Sequence, residues 1–484
     1  MAYTAVNDPS AFFQCTTYTG NGGTQSITNI GNSNLRPDLV WIKQRNGTNG
    51  HKLDNSRRGA GEFLATNTSD AEGTDGNGLT AFNTDGFSVG SSGSYNGNSD
   101  TYVAWQWAAN GVAPTKTYKV VVVSDSGNKY RFRNSTDTAT FGASAQTVDL
   151  QEGGTYTFDV SDNTVDSHPF VIGTSANSNE YSTGVVYKLD GVTKTYSQYT
   201  SGFSAASSRQ LIITVAASAP TLYYWCSQHS GMGGQINTNA NFGSSNFDGS
   251  VKSISNANTT SGFSIVQWTG TGALATIGHG LGKEPRMIWI KNLGASQTWN
   301  IYNQDVGSNR YLTFGTGAYN TASNRFDDTD ATTSVFTVKT NNDVNQNGNA
   351  MIAYCFADVP GYQKIGVYRG NGNINRGPVM NTGFKPAFVL WKNYTGSGIW
   401  GIKDNRRGAQ TAGNFAINPV DKRLDANDND AENTDHIINF YSHGFEPRDG
   451  GAAQNGSGDY YIYLACAAAP VVGNDTNATP GTAG

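Results

Sequence analysis

The chain is short of charge, of cysteine and of long apolar runs. Charged residues make up 14% of its 484 residues, well below the roughly 25% usual in soluble domains. No cluster of Lys and Arg remains that would neutralise a row of phosphates, and the net charge of −5 is mild, so a nucleic-acid partner is not expected. The longest apolar run, around Tyr460 to Val472, is too short for a membrane-spanning helix and is interrupted by Pro470, which argues against membrane insertion. The opening Met1-Ala-Tyr-Thr-Ala-Val-Asn-Asp has neither the basic nor the apolar part of a secretory leader, so the expectation is assembly in a cytoplasm. Cys15, Cys226, Cys355 and Cys466 are far apart and form no disulfide framework; they read as free thiols. No stretch sustains the apolar stripe of an amphipathic helix over three turns, which excludes a mainly helical protein.

What replaces charge is glycine (59 residues), Asn, Thr and Ser, the composition of short strands joined by tight turns. Nine Trp, 24 Tyr and 22 Phe supply the apolar area that disordered chains lack. The length exceeds what one core usually serves, so several domains are expected.

Three blocks recur in the same order. The anchor is Pro37-Asp-Leu-Val-Trp-Ile-Lys43, Pro285-Arg-Met-Ile-Trp-Ile-Lys291 and Pro386-Ala-Phe-Val-Leu-Trp-Lys392. Before each lies an aromatic strand and a Gly-rich turn, at Tyr18, Trp268 and Tyr368. After it, Asp54-Asn-Ser-Arg-Arg-Gly-Ala60 is echoed by Asp404-Asn-Arg-Arg-Gly-Ala409, while the second copy has only Asn303-Gln-Asp-Val-Gly307. Each copy closes on an aromatic strand, ending at Trp107, Phe356 and Cys466, and Cys355 and Cys466 read as equivalent to Gln106. Alternating large apolar residues bounded by Asn-Gly and Asp-Gly turns predict half-buried antiparallel strands, and each copy reads as a β-sandwich.

The three copies resemble a repeat of tail-fibre and other structural proteins of marine, cyanophage-like tailed phages, in which Trp-Ile-Lys, Arg-Gly-Ala and Asp-Gly-Phe blocks recur. The match is closest over 12–110, which includes Leu79-Thr-Ala-Phe-Asn-Thr-Asp-Gly-Phe87; it weakens over 242–360, and the third copy keeps Ser442-His-Gly-Phe445. The resemblance implies a virion structural protein, a tail-fibre or head-fibre subunit without enzyme activity. It would be assembled in the host cytoplasm with other virion proteins and would contact a host-surface glycan or receptor. Such subunits are commonly homo-oligomers, often trimers, although no heptad repeat is present to trimerise this chain by itself.

Between the first two copies the pattern changes. Thr117-Tyr-Lys-Val-Val-Val-Val123 predicts a strand, and Val148 to Val160 predicts strand, Gly-Gly turn, strand. Asp166-Ser-His-Pro-Phe-Val-Ile172 follows, then Pro220-Thr-Leu-Tyr-Tyr-Trp-Cys-Ser-Gln-His-Ser-Gly-Met-Gly-Gly234. One thiolate, two imidazoles and a thioether suit copper, with a trigonal plane of soft and borderline ligands and a weak axial Met. The arrangement resembles the cupredoxin family, which implies a Greek-key β-barrel with His168, Cys226, His229 and Met232 as metal ligands. The separation of His168 from Cys226, 58 positions, implies an enlarged segment such as 175–205. The alternative is the same fold without metal, in which Cys226 is a buried small hydrophobe, His229 a surface residue, and Gly231, Gly233 and Gly234 leave the loop loosely held.

The expected architecture is all-β: three antiparallel β-sandwich repeats (1–111, 241–360, 361–472), an inserted cupredoxin-like barrel (112–240) and a C-terminal tail (473–484). Two other functions stay open: a copper-binding electron carrier, and a polysaccharide-binding or depolymerising protein. For the latter, Asp70-Ala-Glu-Gly-Thr-Asp75 and Asp430-Ala-Glu-Asn-Thr-Asp435 offer paired carboxylates, although solvated turns are the more ordinary reading, and Asp425 to Asp430 offers oxygens to calcium. Tyr95, Tyr319 and Trp400, near loop tips, are candidates to stack on sugars, although core positions are commoner for such residues.

Overall fold

The computed structural model describes residues 4, 6–109, 114–239, 243–408, 411–412, 415–416 and 418–470. The expected tail (473–484) and the exact boundaries at 111/112 and 240/241 lie outside them. The chain is all-β, with 44% strand against 6% helix. It divides into two compact units: one holds the three copies, the other runs from Val112 to Asn256 and includes Ala275–Gly280.

Each copy is built on the same four strands. The opening strand (Phe13–Thr19, Phe263–Thr269, Gln363–Arg369) pairs with the closing strand (Thr101–Trp107, Ala350–Ala357, Tyr460–Pro470). The closing strand pairs with the anchor strand (Leu39–Gln44, Pro285–Asn292, Phe384–Asn393), which pairs with an outer strand (Lys52–Asn55, Asn300–Asn303, Trp400–Asp404). All these pairings are antiparallel. The anchor strands are buried on both faces rather than one, because period-2 alternation serves two cores. In the first copy Leu39, Trp41, Val103, Trp105 and Trp107 face one core, while Val40, Ile42, Tyr102 and Ala104 face a second with Leu79 and Phe87.

The first of these cores belongs to all three copies. Trp41 lies edge-on to Trp289 at 5.8 Å, Trp105 to Phe388 at 5.9 Å, and Phe314 to Trp400 at 5.1 Å. The segments read as three domains therefore share one interior, and contacts at equivalent positions close them into a ring. Glu72 N–H donates to Leu293 O (3.0 Å), Tyr319 N–H to Tyr394 O (2.9 Å) and Glu432 N–H to Arg45 O (2.7 Å), linking first to second, second to third and third to first. A ring nitrogen at the head of each outer strand seals the same seams. Trp299 Nε1 donates to Ala65 O (2.7 Å), Trp400 Nε1 to Thr313 O (2.8 Å), and His51 Nε2 lies 3.0 Å from Asp425 O. The Trp41 indole can only donate, and it meets His51 Nδ1 at 2.8 Å, so the His51 proton sits on Nε2. Burial, reinforced by Lys43, pushes the His51 pKa down to about 3 and keeps the ring neutral.

The Lys that ends each anchor is explained by the same ring. Lys291 Nζ donates to Ser69 O (3.0 Å) and Lys392 Nζ to Thr316 O (3.1 Å), each across a seam. Lys43 bonds Gln44 O and Gly47 O and faces Asp428 and Asp430 of the third copy.

Strand pairing revises two sequence alignments. Phe388 lies opposite Cys466 as Met287 lies opposite Phe356 and Leu39 opposite Trp107, so Cys466 is the counterpart of Phe356 and Trp107. Cys355 matches Gln106, and the one-residue slip sends the two thiols to opposite faces. Likewise Leu39 opposes Asn55 and Phe388 opposes Asp404, so Asp404 matches Asn55, not Asp54. All four cysteines are buried and unbridged.

The inserted unit is two sheets around one aromatic core, not a closed barrel. One sheet orders Asn128–Phe132, Thr115–Ser124, Thr155–Asp159, Arg209–Thr214, Val185–Leu189 and Val192–Lys194. The other orders Val148–Gln151, Gln235–Asn239, Leu222–Cys226, Phe170–Ser175 and Ser178–Glu180. Two pairings are parallel, Thr115–Ser124 with Thr155–Asp159 and Val148–Gln151 with Gln235–Asn239. The enlarged segment holds the Val185–Leu189/Val192–Lys194 hairpin and a helix, Tyr196–Gly202, whose Thr195/Gln198 capping box satisfies its first turn.

Candidate metal centre

Strand register gathers the donors. Phe170 pairs with Cys226, so His168, two residues ahead of its strand, and His229, three residues past Cys226, both arrive beside the thiol. Both imidazoles present Nδ1: His168 Nδ1 is 3.9 Å and His229 Nδ1 3.6 Å from Cys226 Sγ, and the two nitrogens are 3.1 Å apart. His168 and Cys226 are buried and His229 is exposed. A metal about 2.0–2.1 Å from each nitrogen and about 2.3 Å from sulfur spaces its donors by roughly 3.3–3.8 Å, so this triangle fits an ion with adjustments of a few tenths of an ångström. Met232 is buried on the same loop, in the apolar core that also contains Cys226. The three donors brought together are His168, Cys226 and His229.

The surroundings hold the donors in place. The His168 carbonyl accepts from Tyr130 OH at 2.7 Å, and its loop is pinned by the Arg209–Asp166 ion pair at 2.6 Å. Burial, and then His229, hold the His168 pKa below its usual range, which favours the neutral, ligating form. His168 Nε2 lies 3.3 Å from the Asn128 amide. Turned so that its carbonyl accepts from Nε2–H, Asn128 would leave Nδ1 free for a metal. The loop after Cys226 is tightly packed, contrary to what its glycines suggest. A Cβ on Gly233 would lie 1.8 Å from Tyr224 O and one on Gly234 2.3 Å from Ala145 O. Gly231 N–H donates to Asn177 Oδ1 at 3.1 Å and Lys129 Nζ donates to Gly231 O. The roles of Asn128, Lys129 and Asn177 have no signal in the sequence beyond polar turns.

The other sequence candidates have structural partners. Glu72 pairs with Arg58 at 2.8 Å, and Glu432 pairs with Arg407 at 3.1 Å and Arg45 at 2.9 Å. By strand register and the seam bonds, Val306 and Tyr319 stand in the second copy where the others have this Arg and Glu, so both halves of the ion pair are replaced together. Asp425 pairs with Arg423 at 2.9 Å, and burial raises its pKa to about 7. Tyr95 and Trp400 are fully buried and Tyr319 packs against the shared core, so none is an exposed stacking platform.

No curated protein and no solved structure matches the chain. One family does, described as a domain of unknown function, DUF7483, and it matches residues 8–219 and 200–470. Together these matches span nearly all of the described residues, and the chain belongs to that family.

Proposed function

We propose that the chain is a virion structural protein, a tail-fibre or head-fibre subunit carried among other virion proteins and presented to a host-surface glycan or receptor. The observation that carries this reading is the ring. Three copies share one core, and of the carboxylates that suggested hydrolysis Glu72 is paired with Arg58, and Glu432 with Arg407 and, across a seam, with Arg45. One chain thereby supplies the threefold packing for which fibre subunits commonly associate, and the product is a rigid β body suited to a particle surface. The test is to purify the particles of a phage encoding the chain. Peptides from the chain in banded virions, with antibody label on tails or heads, support the reading; a chain found only in the lysate's soluble fraction removes it.

A second reading concerns the insert, where the converging Nδ1, Nδ1 and Sγ atoms favour copper. His168, Cys226 and His229 would hold the ion, with Met232, buried on the same loop, as a candidate fourth ligand, and bound copper would supply one-electron exchange. Exposed His229 would be the contact point for an electron partner, and an ion tying two loops together would also stabilise the unit. Addition of Cu²⁺ to the full chain should produce an intense visible thiolate-to-copper band that Cys226→Ser abolishes. A colourless, unstabilised protein after copper addition rules this reading out.

A further inference from the structure

The third copy carries a groove whose chemistry the first copy lacks. It lies against the strands Ile438–Tyr441 and Gly444–Pro447, has a volume of about 570 Å³, and is lined by Arg376, Val379, Tyr441, His443, Glu446 and Arg448 among others. Its volume falls within the range of about 300–1,000 Å³ of small-ligand sites.

The equivalent place in the first copy is identified by a backbone contact. A Cβ on Gly86 would strike Ile27 O at 2.0 Å, and one on Gly444 would strike Met380 O at 1.7 Å, so the two glycines match and Ser88 corresponds to Glu446. Beside Ser88 the first copy places small neutral groups, Ser26 Oγ at 2.9 Å and Asn83 Nδ2, which donates at 3.0 Å, and Asp85, at the position of His443, accepts from Leu35 N–H at 3.1 Å. In the third copy Glu446 is buried, accepts from Tyr441 OH at 2.6 Å, and lies 3.7 Å from Arg448 Nη1. Arg448 Nε has no hydrogen-bond partner among the described residues. Arg376 is exposed and forms no ion pair among the described residues. Tyr441 and His443 present nearly parallel rings, 16° apart in tilt, with centroids 6.1 Å apart.

Two guanidinium groups against one carboxylate leave the groove one positive charge in excess. Guanidinium forks match planar or tetrahedral oxyanions, aromatic rings match the apolar face of a pyranose, and a fixed carboxylate accepts from a sugar hydroxyl. A nucleic acid would require a longer row of cations. We propose that this groove binds an acidic sugar residue of a surface polysaccharide. Arg376 and Arg448 take its carboxylate or sulfate, Tyr441 and His443 its ring face, and Glu446 a hydroxyl. The inference rests on the host-contact reading above for its setting and names the ligand class for it.

The full chain is titrated with three probes of equal length: tri-galacturonate, a sulfated galactan trisaccharide and neutral galactotriose. Binding of either acidic probe, at least about tenfold tighter than the neutral one, supports the site, and which acidic probe binds identifies the anionic group. Arg376→Glu, at an exposed position where folding is not at risk, should weaken that binding at least about tenfold. Equal binding of the neutral probe, no binding of either acidic one, or unchanged binding by Arg376→Glu overturns it. A chain present on particles that binds no acidic sugar loses this site alone; one that binds acidic sugars but is absent from particles loses the virion reading alone.

Discussion

The Trp105 indole of the first copy donates to the Asp404 carboxylate of the third at 2.9 Å, with both side chains fully buried. The equivalent pair one seam on is Asn55 Nδ2 to Tyr354 OH at 2.8 Å. At the remaining seam Leu464 replaces the aromatic partner, and Asn303 Nδ2 is left without a hydrogen bond among the described residues. Asp404 also holds Arg407 at 2.7 Å; burial pushes its carboxyl up, but Arg407 and three hydrogen-bond donors outweigh that and hold it below its usual range. Asp404→Ala should therefore cost about 3–5 kcal/mol, because Arg407 stays buried with its nearest partner gone. Trp105→Phe should cost about 1–3 kcal/mol, the loss of one donor to a buried carboxylate. Denaturant titration of each variant measures both.

The second copy is a natural version of the ion pair's removal. In the first copy, Glu72→Tyr alone should destabilise by about 3 kcal/mol because it leaves Arg58, nearly all buried, unpaired. Adding Arg58→Val, which reproduces Val306 and Tyr319, should recover at least about half of the loss, since a buried ion pair and an apolar pair differ little in net energy. A double variant less stable than either single one would contradict this account.

The anchor lysines predict a pH dependence. Burial lowers the pKa of Lys43, Lys291 and Lys392 from 10.5 to about 8 in the folded chain. The unfolded chain then binds more protons between about pH 8 and 10.5, so these groups make stability rise with pH across that window, and their burial penalty is full below about pH 8. Denaturation midpoints should increase from about pH 8 to about 9.5, before tyrosine ionisation in the unfolded chain reverses the trend. Lys392→Met should flatten the rise.

One shared core implies that the three copies unfold together. Calorimetry should resolve one transition for the ring and a separate one for the inserted unit, and Cu²⁺ should raise only the latter. Asn128→Leu should weaken copper binding by about 10–100-fold through loss of the His168 orienting contact. Gly233→Ala should lower the inserted unit's transition in the absence of copper as well, because its Cβ would collide with Tyr224 O.

Period-2 alternation, turn glycines and the recurring anchor blocks determined locally that the chain is all-β and built from three related segments. Cys226, His229 and Met232 were legible as ligand candidates because they share one loop, and His168 because a His-Pro-Phe preceding a strand stands apart in a chain with so few histidines. Tertiary structure alone decided that the three segments share one interior. Periodicity says which residues alternate, not that both faces of a strand such as Leu39–Gln44 are covered. It also decided the one-residue registers that set Asp404 against Asn55 and Cys466 against Phe356, since pairing is fixed by long-range packing. The partner of a buried charge across a seam was likewise invisible in sequence: Glu432 and Arg45 lie 387 positions apart, and only closure of the ring brings them together.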